Sequence, residues 1–243
     1  MSKQVKFKYF TNKQSFLNDE SNSAGDVNFI ADSKEIVTHD RTYKSVNWSV
    51  LEPYVPTSGV WIYDLDGDFI TPSDWDTSNN SKAVGVAVLG DNCRFVVAKE
   101  DIGSKYWVKD SYHFIDIEGV LTTTSSTEAA KDFDGVTNTR LIIEALGVGN
   151  ALVAEACASY SFLNGQTGYL GAAGEWKLAR SYKDELNSAL ELIGGTKMTE
   201  SSYWTSTEYS SSIAWSQLFG SGSSLEIGTK IGNGSYVRAF LAL

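Results

Sequence analysis

Side chains able to do chemistry are few in this chain, and none is arranged in a recognisable catalytic pattern. The 243 residues include two histidines, His39 and His113, and two cysteines, Cys93 and Cys157. A triad or metal site built on imidazole would need one of those histidines, and neither sits in a motif. Both cysteines lie in apolar stretches, so two buried free thiols fit the pattern better than one disulfide. No Cys-x-x-Cys spacing points to a structural zinc. Asp64-Leu65-Asp66-Gly67-Asp68 resembles the start of a calcium loop. The twelfth position from Asp64, where a Glu is required, is Trp75. Asp66-Gly67 reads instead as the centre of a type I′ hairpin turn. The carboxylate pairs Asp74/Asp76 and Asp132/Asp134 suit an acidic surface better than a glycosidase. Nucleophile-elbow, phosphate-loop, dinucleotide and His-Glu-x-x-His motifs are missing from the sequence. The expectation is a protein that is not an enzyme, with no cofactor and no metal.

Charge narrows the partners. Twenty Lys and Arg stand against thirty Asp and Glu, a formal charge of -10. A field of that sign repels phosphate backbones and anionic lipid, so neither nucleic acid nor membrane insertion is expected. The opening Met1–Lys6 lacks the apolar centre of a secretory signal, and no run of about 18 apolar residues suggests a membrane span.

Which elements would carry the remaining residues? Alternation predicts a strand at 5–10 and two short strands at 27–32 and 35–39, turned by Asp32-Ser33-Lys34. The stretch 18–26 is polar, and 45–58, with Pro53 and Pro56, reads as a connector. A hairpin is expected from 60 to 71, then strands at 83–89 and 94–98. Helices are expected at 139–146 (capped by Thr137-Asn138), at 151–160 (capped by Asn150), at 174–182 and at 183–193. From Ser201 helical periodicity ends. Residues 201–240 hold eleven Ser and five Gly interleaved with aromatics, the composition of an adaptable binding surface. The last residues, 236–243, are too apolar for a free tail and predict a paired or buried strand.

Three blocks carry a family resemblance. Gly168 to Ala179, containing Glu175-Trp176, resembles a helix of the formylglycine-generating-enzyme branch of the C-type lectin fold. Tyr203 to Trp215 resembles the Trp-Ser-Ser-Thr-Glu block of variable proteins of diversity-generating retroelements, and Tyr236 to Phe240 is similar to that family's closing strand. Residues 59–100 resemble members from gut Bacteroides and their phages, and 27–43 resembles a β-unit of phage tail proteins. The resemblance implies an α+β chain. Residues 1–57 would be a small N-terminal β-unit and connector, and 58–243 a C-type lectin domain with paired terminal strands and an exposed ligand face. It also implies a segment, about 203–235, rewritten by a reverse transcriptase. The expected role is receptor binding on a phage tail, hence in the virion. The alternative is an adhesin on a bacterial cell surface. Partners would be a bacterial surface protein or glycan, other tail proteins and, in a homotrimer, further copies of the chain. Calcium-dependent sugar motifs are absent, and no cysteine follows Cys157 to support the oxidase chemistry of the branch.

A segment that is both scaffold and site must divide its residues. Trp176, Trp204, Glu208, Tyr209, Trp215, Phe219, Tyr236, Arg238 and Phe240 are expected to form the fixed framework, with Glu208 and Arg238 as a charge-assisted pair. The exchangeable, ligand-facing set is expected at Tyr203, Thr205, Ile213, Ser216, Leu218, Gly220, Ser221, Ser223, Ser224, Leu225, Glu226, Ile227, Gly228, Thr229, Ile231, Gly232, Asn233, Gly234 and Ser235. Within it Ile213, Leu225, Ile227 and Ile231 would make an apolar contact patch.

Overall fold

The computed structural model describes residues 56–91, 93–222, 224–232 and 234–243, and the backbone of three strands before them. The chain divides into two compact units, Met1–Tyr54 and Val55–Leu243. In the first, β1 (Phe7–Phe10) runs parallel to β2 (Val27–Ile30), which pairs antiparallel with β3 (Glu35–Thr38). The predicted polar stretch 18–26, turn 32–34 and most of the connector 45–58 lie outside the described residues.

The second unit is built on two five-stranded sheets. The first holds β4 (Gly59–Asp64), β5 (Phe69–Ile70), β6 (Ala83–Leu89), β7 (Arg94–Val97) and β13 (Phe240–Ala242), in the order β13-β7-β6-β4-β5 and antiparallel throughout. Every residue of β6 is buried, because both faces of this sheet are covered, and its sequence, AVGVAVL, is accordingly apolar at every position. Gly85 has no room for a side chain: a Cβ there would meet the Val97 carbonyl at 2.5 Å. The register slips at this point, from Tyr63↔Gly85 to Asp64↔Ala83, as at a β-bulge.

The second sheet holds β8 (Gly103–Lys105), β9 (Ser202–Ser210), β10 (Ile213–Leu218), β11 (Leu225–Thr229) and β12 (Ser235–Val237), in the order β11-β10-β9-β12-β8. Between β8 and β9 come five helices: α1 (Ser126–Ala129), α2 (Gly135–Leu146), α3 (Leu152–Ala158), α4 (Ala173–Ser181) and α5 (Lys183–Leu192). None among the described residues is long and apolar enough to cross a membrane.

Two large apolar cores result, with a smaller cluster of Ala129, Ala173 and Trp215 beside them. One gathers Val96, Leu89, Trp107, Ile142, Val153, Trp204 and Val237. The other gathers Ile62, Val86, Val88, Phe95, Phe240, Leu186 and Leu190 around an aromatic cage. Within the cage Trp176 of α4 stacks on Tyr203 at 5.1 Å and meets Phe240 at 4.6 Å and Phe219 at 5.8 Å. Arrangements of that kind add to the burial of each ring.

Four local expectations are corrected. The hairpin loop is not a two-residue type I′ turn. Gly67 N donates to the Asp64 carbonyl and Asp64 N to that of Asp68, leaving a three-residue loop with Gly67 at φ +83°, the form in which only the last loop residue needs positive φ. Thr137-Asn138 is no cap: α2 begins at Gly135, and Asn138 and Thr139 face inward, bonding Asp132, Ser206 and the Gly135 and Leu170 carbonyls. Asn150 closes the end of α2 through the Leu146 carbonyl, while Glu155 reaches back to the amides of Gly149, Asn150 and Ala151 and satisfies the start of α3. The terminal strand β13 is paired, but with β7; β7 and β6 separate it from β4, the first strand of the unit.

Candidate functional site

The stretch 202–242 runs through both sheets, and three of its charged residues, Glu208, Lys230 and Arg238, are buried. Glu208 on β9 and Lys230 after β11 form an ion pair with both side chains at 0% exposure. Lys230 also donates to the Ile115 carbonyl and lies 4.8 Å from the centre of the Trp107 ring. Glu208 further accepts from Ile117 N at 3.0 Å and the Thr122 hydroxyl at 3.2 Å. Burial pushes its carboxyl above the ordinary range, against the opposing pull of Lys230 and these donors. Arg238 is occupied elsewhere. Its Nε holds Asp101 at 2.6 Å, and its Nη atoms bond Thr196 and the Ala98 carbonyl. The expected Glu208–Arg238 pair is therefore corrected: each residue is fixed, by a different partner.

The other residues expected in the framework are buried or half-buried. Trp176, Trp204, Trp215, Phe219 and Phe240 are buried, and Tyr209 and Tyr236 half-buried. Trp204 Nε1 donates to the Lys105 carbonyl and Trp215 Nε1 to that of Thr123. Arg180 on α4 clamps the chain after β10 through the Leu218 and Gly220 carbonyls.

The ligand-facing set divides. Tyr203, Thr205, Ser216 and Gly220 are buried, which removes them from any exposed face. The Tyr203 hydroxyl joins Thr199 to Asp101, and Thr205 bonds the Trp215 carbonyl. Gly228 is half-buried and confined, since a Cβ there would stand 2.6 Å from the Trp204 ring; one at Gly234 would stand 2.7 Å from Ser104 Oγ and 2.9 Å from the Lys105 carbonyl. Ile213, Leu218, Leu225, Glu226, Ile231, Gly232 and Ser235 are half-buried. Glu226 accepts from the Ser202 hydroxyl. Exposed are Ser221, Ser224, Ile227 and Thr229. Ser223 and Asn233 lie outside the described residues. The four-residue apolar patch is not present as such: Ile227 is 51% exposed, but Leu225 packs against the Trp215 cluster and Ile231 against the first core.

Two depressions flank the segment at opposite edges of the second sheet. At the β11 edge a cleft of about 200 Å³ is lined by Ser126, Thr127, Lys177, Ser224 and Leu225. At the β8 edge a wider groove of about 470 Å³ is lined by Ser104, Lys105, Tyr106, Leu152 and Gly234. Except for Ser224, Leu225 and Gly234, these lining residues did not stand out in the sequence. The one available signal was Tyr106-Trp107, two adjacent large aromatics, one 52% exposed and the other buried.

The carboxylate pairs and the acidic loop are structural. Asp64 Oδ1 accepts the amides of Asp66 and Asp68, Asp74 accepts from Thr71, and Asp76 caps a turn through Ser78 N. Asp132 holds Asn138, Thr207 and the Asp134 amide. Nearby Glu175 accepts from Ala172 N and the Tyr169 hydroxyl, both at 2.7 Å, at the start of α4. Burial, with the charges of Asp132 and Asp134, pushes its carboxyl up to about 8, although those two hydrogen bonds pull the other way. Cys93 and Cys157 are free. Burial pushes the Cys93 thiol up to about 12, with a further push from Glu175, and raises Cys157 as well.

No protein-family model matches this chain, and no curated protein matches it in sequence. In structure it is similar to a fimbrial protein from Bacteroides ovatus ATCC 8483, with a TM-score of 0.55 at 15% identity over 77% of this chain and 49% of that one. The chain thus spans about half the length of that protein. Helices together with three sheets make this an α+β protein, and its fold resembles that neighbour over the matched part.

Proposed function

We propose that residues 55–243 form a non-catalytic adhesion module that grips a ligand on a bacterial surface through the outer strip of β11 and the loop before it. One observation carries this reading: a single segment alternates buried anchors (Trp204, Glu208, Trp215, Phe219, Lys230) with exposed Ser221, Ser224, Ile227 and Thr229, on which the fold does not lean. Substitutions at such exposed positions typically change stability by less than about 0.5 kcal/mol. The cleft beside Ser224 and Leu225 adds a concave contact, with Lys177 and three hydroxyls, for a polar group of the ligand. Likeness of fold to a fimbrial protein is consistent with an adhesive role. The non-catalytic reading is supported by Glu208 and Glu175, whose raised carboxyls are filled by donors of the protein itself.

The Tyr203 to Trp215 block favours a more particular version: a C-type-lectin variable protein of a retroelement, carried on a phage tail as its receptor-binding part, with other tail proteins and a bacterial surface protein or glycan as partners. In that version α4 and the closing strand are the family's fixed parts. The cell-surface adhesin is the alternative, and neighbouring DNA separates the two. A near-copy of the 3′ coding segment differing at adenines, beside a reverse-transcriptase gene and tail genes, is expected for the phage protein.

The module reading is tested with labelled protein on whole cells of gut Bacteroides strains. Ile227→Asp with Thr229→Arg is expected to abolish binding while the melting temperature stays put. Undiminished binding by this folded variant would place the contact elsewhere.

A further inference from the structure

The groove at the β8 edge lies across the whole sheet from β11, so the adhesion strip leaves it unexplained. Its volume of about 470 Å³ lies within the roughly 300–1,000 Å³ range of small-molecule sites. Its walls are tied together by hydrogen bonds. Ser104 Oγ donates to the Gly234 carbonyl at 2.7 Å, Trp204 Nε1 donates to the Lys105 carbonyl at 2.9 Å, and β8 pairs with β12 through Ser235↔Lys105. Behind them, Trp107 N bonds the Lys230 carbonyl, and the buried Glu208–Lys230 pair holds that corner. Walls fixed before binding lower the ordering cost of a ligand.

The lining has the mixed character that a sugar ring requires. Tyr106 presents a half-exposed aromatic face, suited to the C–H face of a pyranose, and Leu152 adds an apolar wall. The Ser104 hydroxyl, whose proton is committed to Gly234, still has lone pairs for a sugar hydroxyl, and the Lys105 ammonium is a donor. Gly234 lets its chain lie close against β8, because any larger residue would drive a Cβ against Ser104 and Lys105. A formal charge of -10 on the chain opposes uronates, sulfates and phosphates. An extended peptide would call for a longer channel than five lining residues provide.

We propose that the groove formed by Ser104, Lys105, Tyr106, Leu152 and Gly234 is a second binding site, which takes a neutral hexose or N-acetylhexosamine unit of a glycan with Tyr106 as its platform. The site is independent of the strip on β11.

Protein-observed NMR and calorimetry with cellobiose, lactose, mannobiose and chitobiose test it, with sialyllactose and digalacturonate as charged comparators and an unrelated extended peptide as a further arm. At least one neutral disaccharide is expected to shift the amides of 104–106, 152 and 234. Tyr106→Ala should weaken its binding by about tenfold or more, as for loss of a central aromatic anchor. Leu152→Trp should block it by filling the groove. Ile227→Asp, which disables the adhesion strip, should leave it unchanged, so failure of one site is distinguishable from failure of the other. Both groove variants are first shown to be folded by their amide spectra. The proposal is overturned if no neutral disaccharide binds, if only the charged sugars or the peptide bind, or if binding survives both groove variants or is lost with Ile227→Asp.

Discussion

Glu208 on β9 and Lys230 in the turn after β11 pair inside the protein, although β9 and β11 are not neighbours, and in doing so fasten that turn to the chain at 115–117. Lys230→Met alone leaves a carboxylate buried without its partner, which costs about 3–5 kcal/mol. Adding Glu208→Gln, whose amide oxygen can still accept from Ile117 N, should restore a good part of that loss. Urea unfolding of the two variants reads the difference, and a double variant no more stable than the single one would show that the pair itself, not the stranded charge, matters.

Gly228 is expected to be intolerant despite its place in β11, beside exposed Ile227 and Thr229. Replacing a strand glycine by alanine ordinarily gains about 0.5–1 kcal/mol. Here the new Cβ would stand 2.6 Å from the fully buried Trp204, and overpacking of that kind costs about 1–3 kcal/mol. Gly228→Ala should therefore lower the denaturation midpoint, while Thr229→Ala, one residue away and exposed, should leave it within about 0.5 kcal/mol. Equal effects at the two positions would contradict the packing.

Glu175 makes stability pH-dependent. Its carboxyl is raised from an ordinary 4.5 to about 8, so between those values the folded state keeps a proton that the unfolded state has released. Stability falls as pH rises through that window, by at most about 1.4 kcal/mol per unit, and levels off above it. Gln in its place resembles the protonated acid, with an oxygen for Ala172 N and an NH₂ for the Tyr169 hydroxyl. Glu175→Gln should thus flatten the profile between pH 5 and 8 relative to the parent, which thermal melts across that range will register.

Thiol titration checks the cysteines. Native protein should react slowly with a disulfide reagent, since Cys157 is fully buried and the half-buried Cys93 is held protonated, with its pKa near 12. Denatured protein should release two thiol equivalents. A count of zero after denaturation would mean a disulfide that the structure does not contain.

The strands, most helices and the framework aromatics were legible because burial imposes a pattern that short-range spacing reveals. The run at 83–89 and the ring residues Trp204, Trp215, Phe219 and Phe240 are examples. Helix starts were misread at Asn138 and Asn150 because a polar residue before a helix resembles a cap whether its side chain bonds the next turn or a distant strand, as Asn138 does with Ser206. The charge pairing was out of reach for the same reason: Glu208 could be seen to need a cation, but only the register of β11 brings Lys230 to it rather than Arg238. Small residues misled most. Thr205, Ser216, Gly220, Gly228 and Gly234 looked exchangeable because they are small, and they are small because little space is left for them.

Residues 235–242 serve both layers at once: Ser235–Val237 joins β8 to β9, and Phe240–Ala242 covers the open side of β7. Without this short stretch β8 loses its link to β9, and β7 is left with an unpaired side. Deleting residues 235–242 would therefore remove an inner strand of one sheet and an edge strand of the other together, yielding an aggregation-prone product rather than a slightly shortened one.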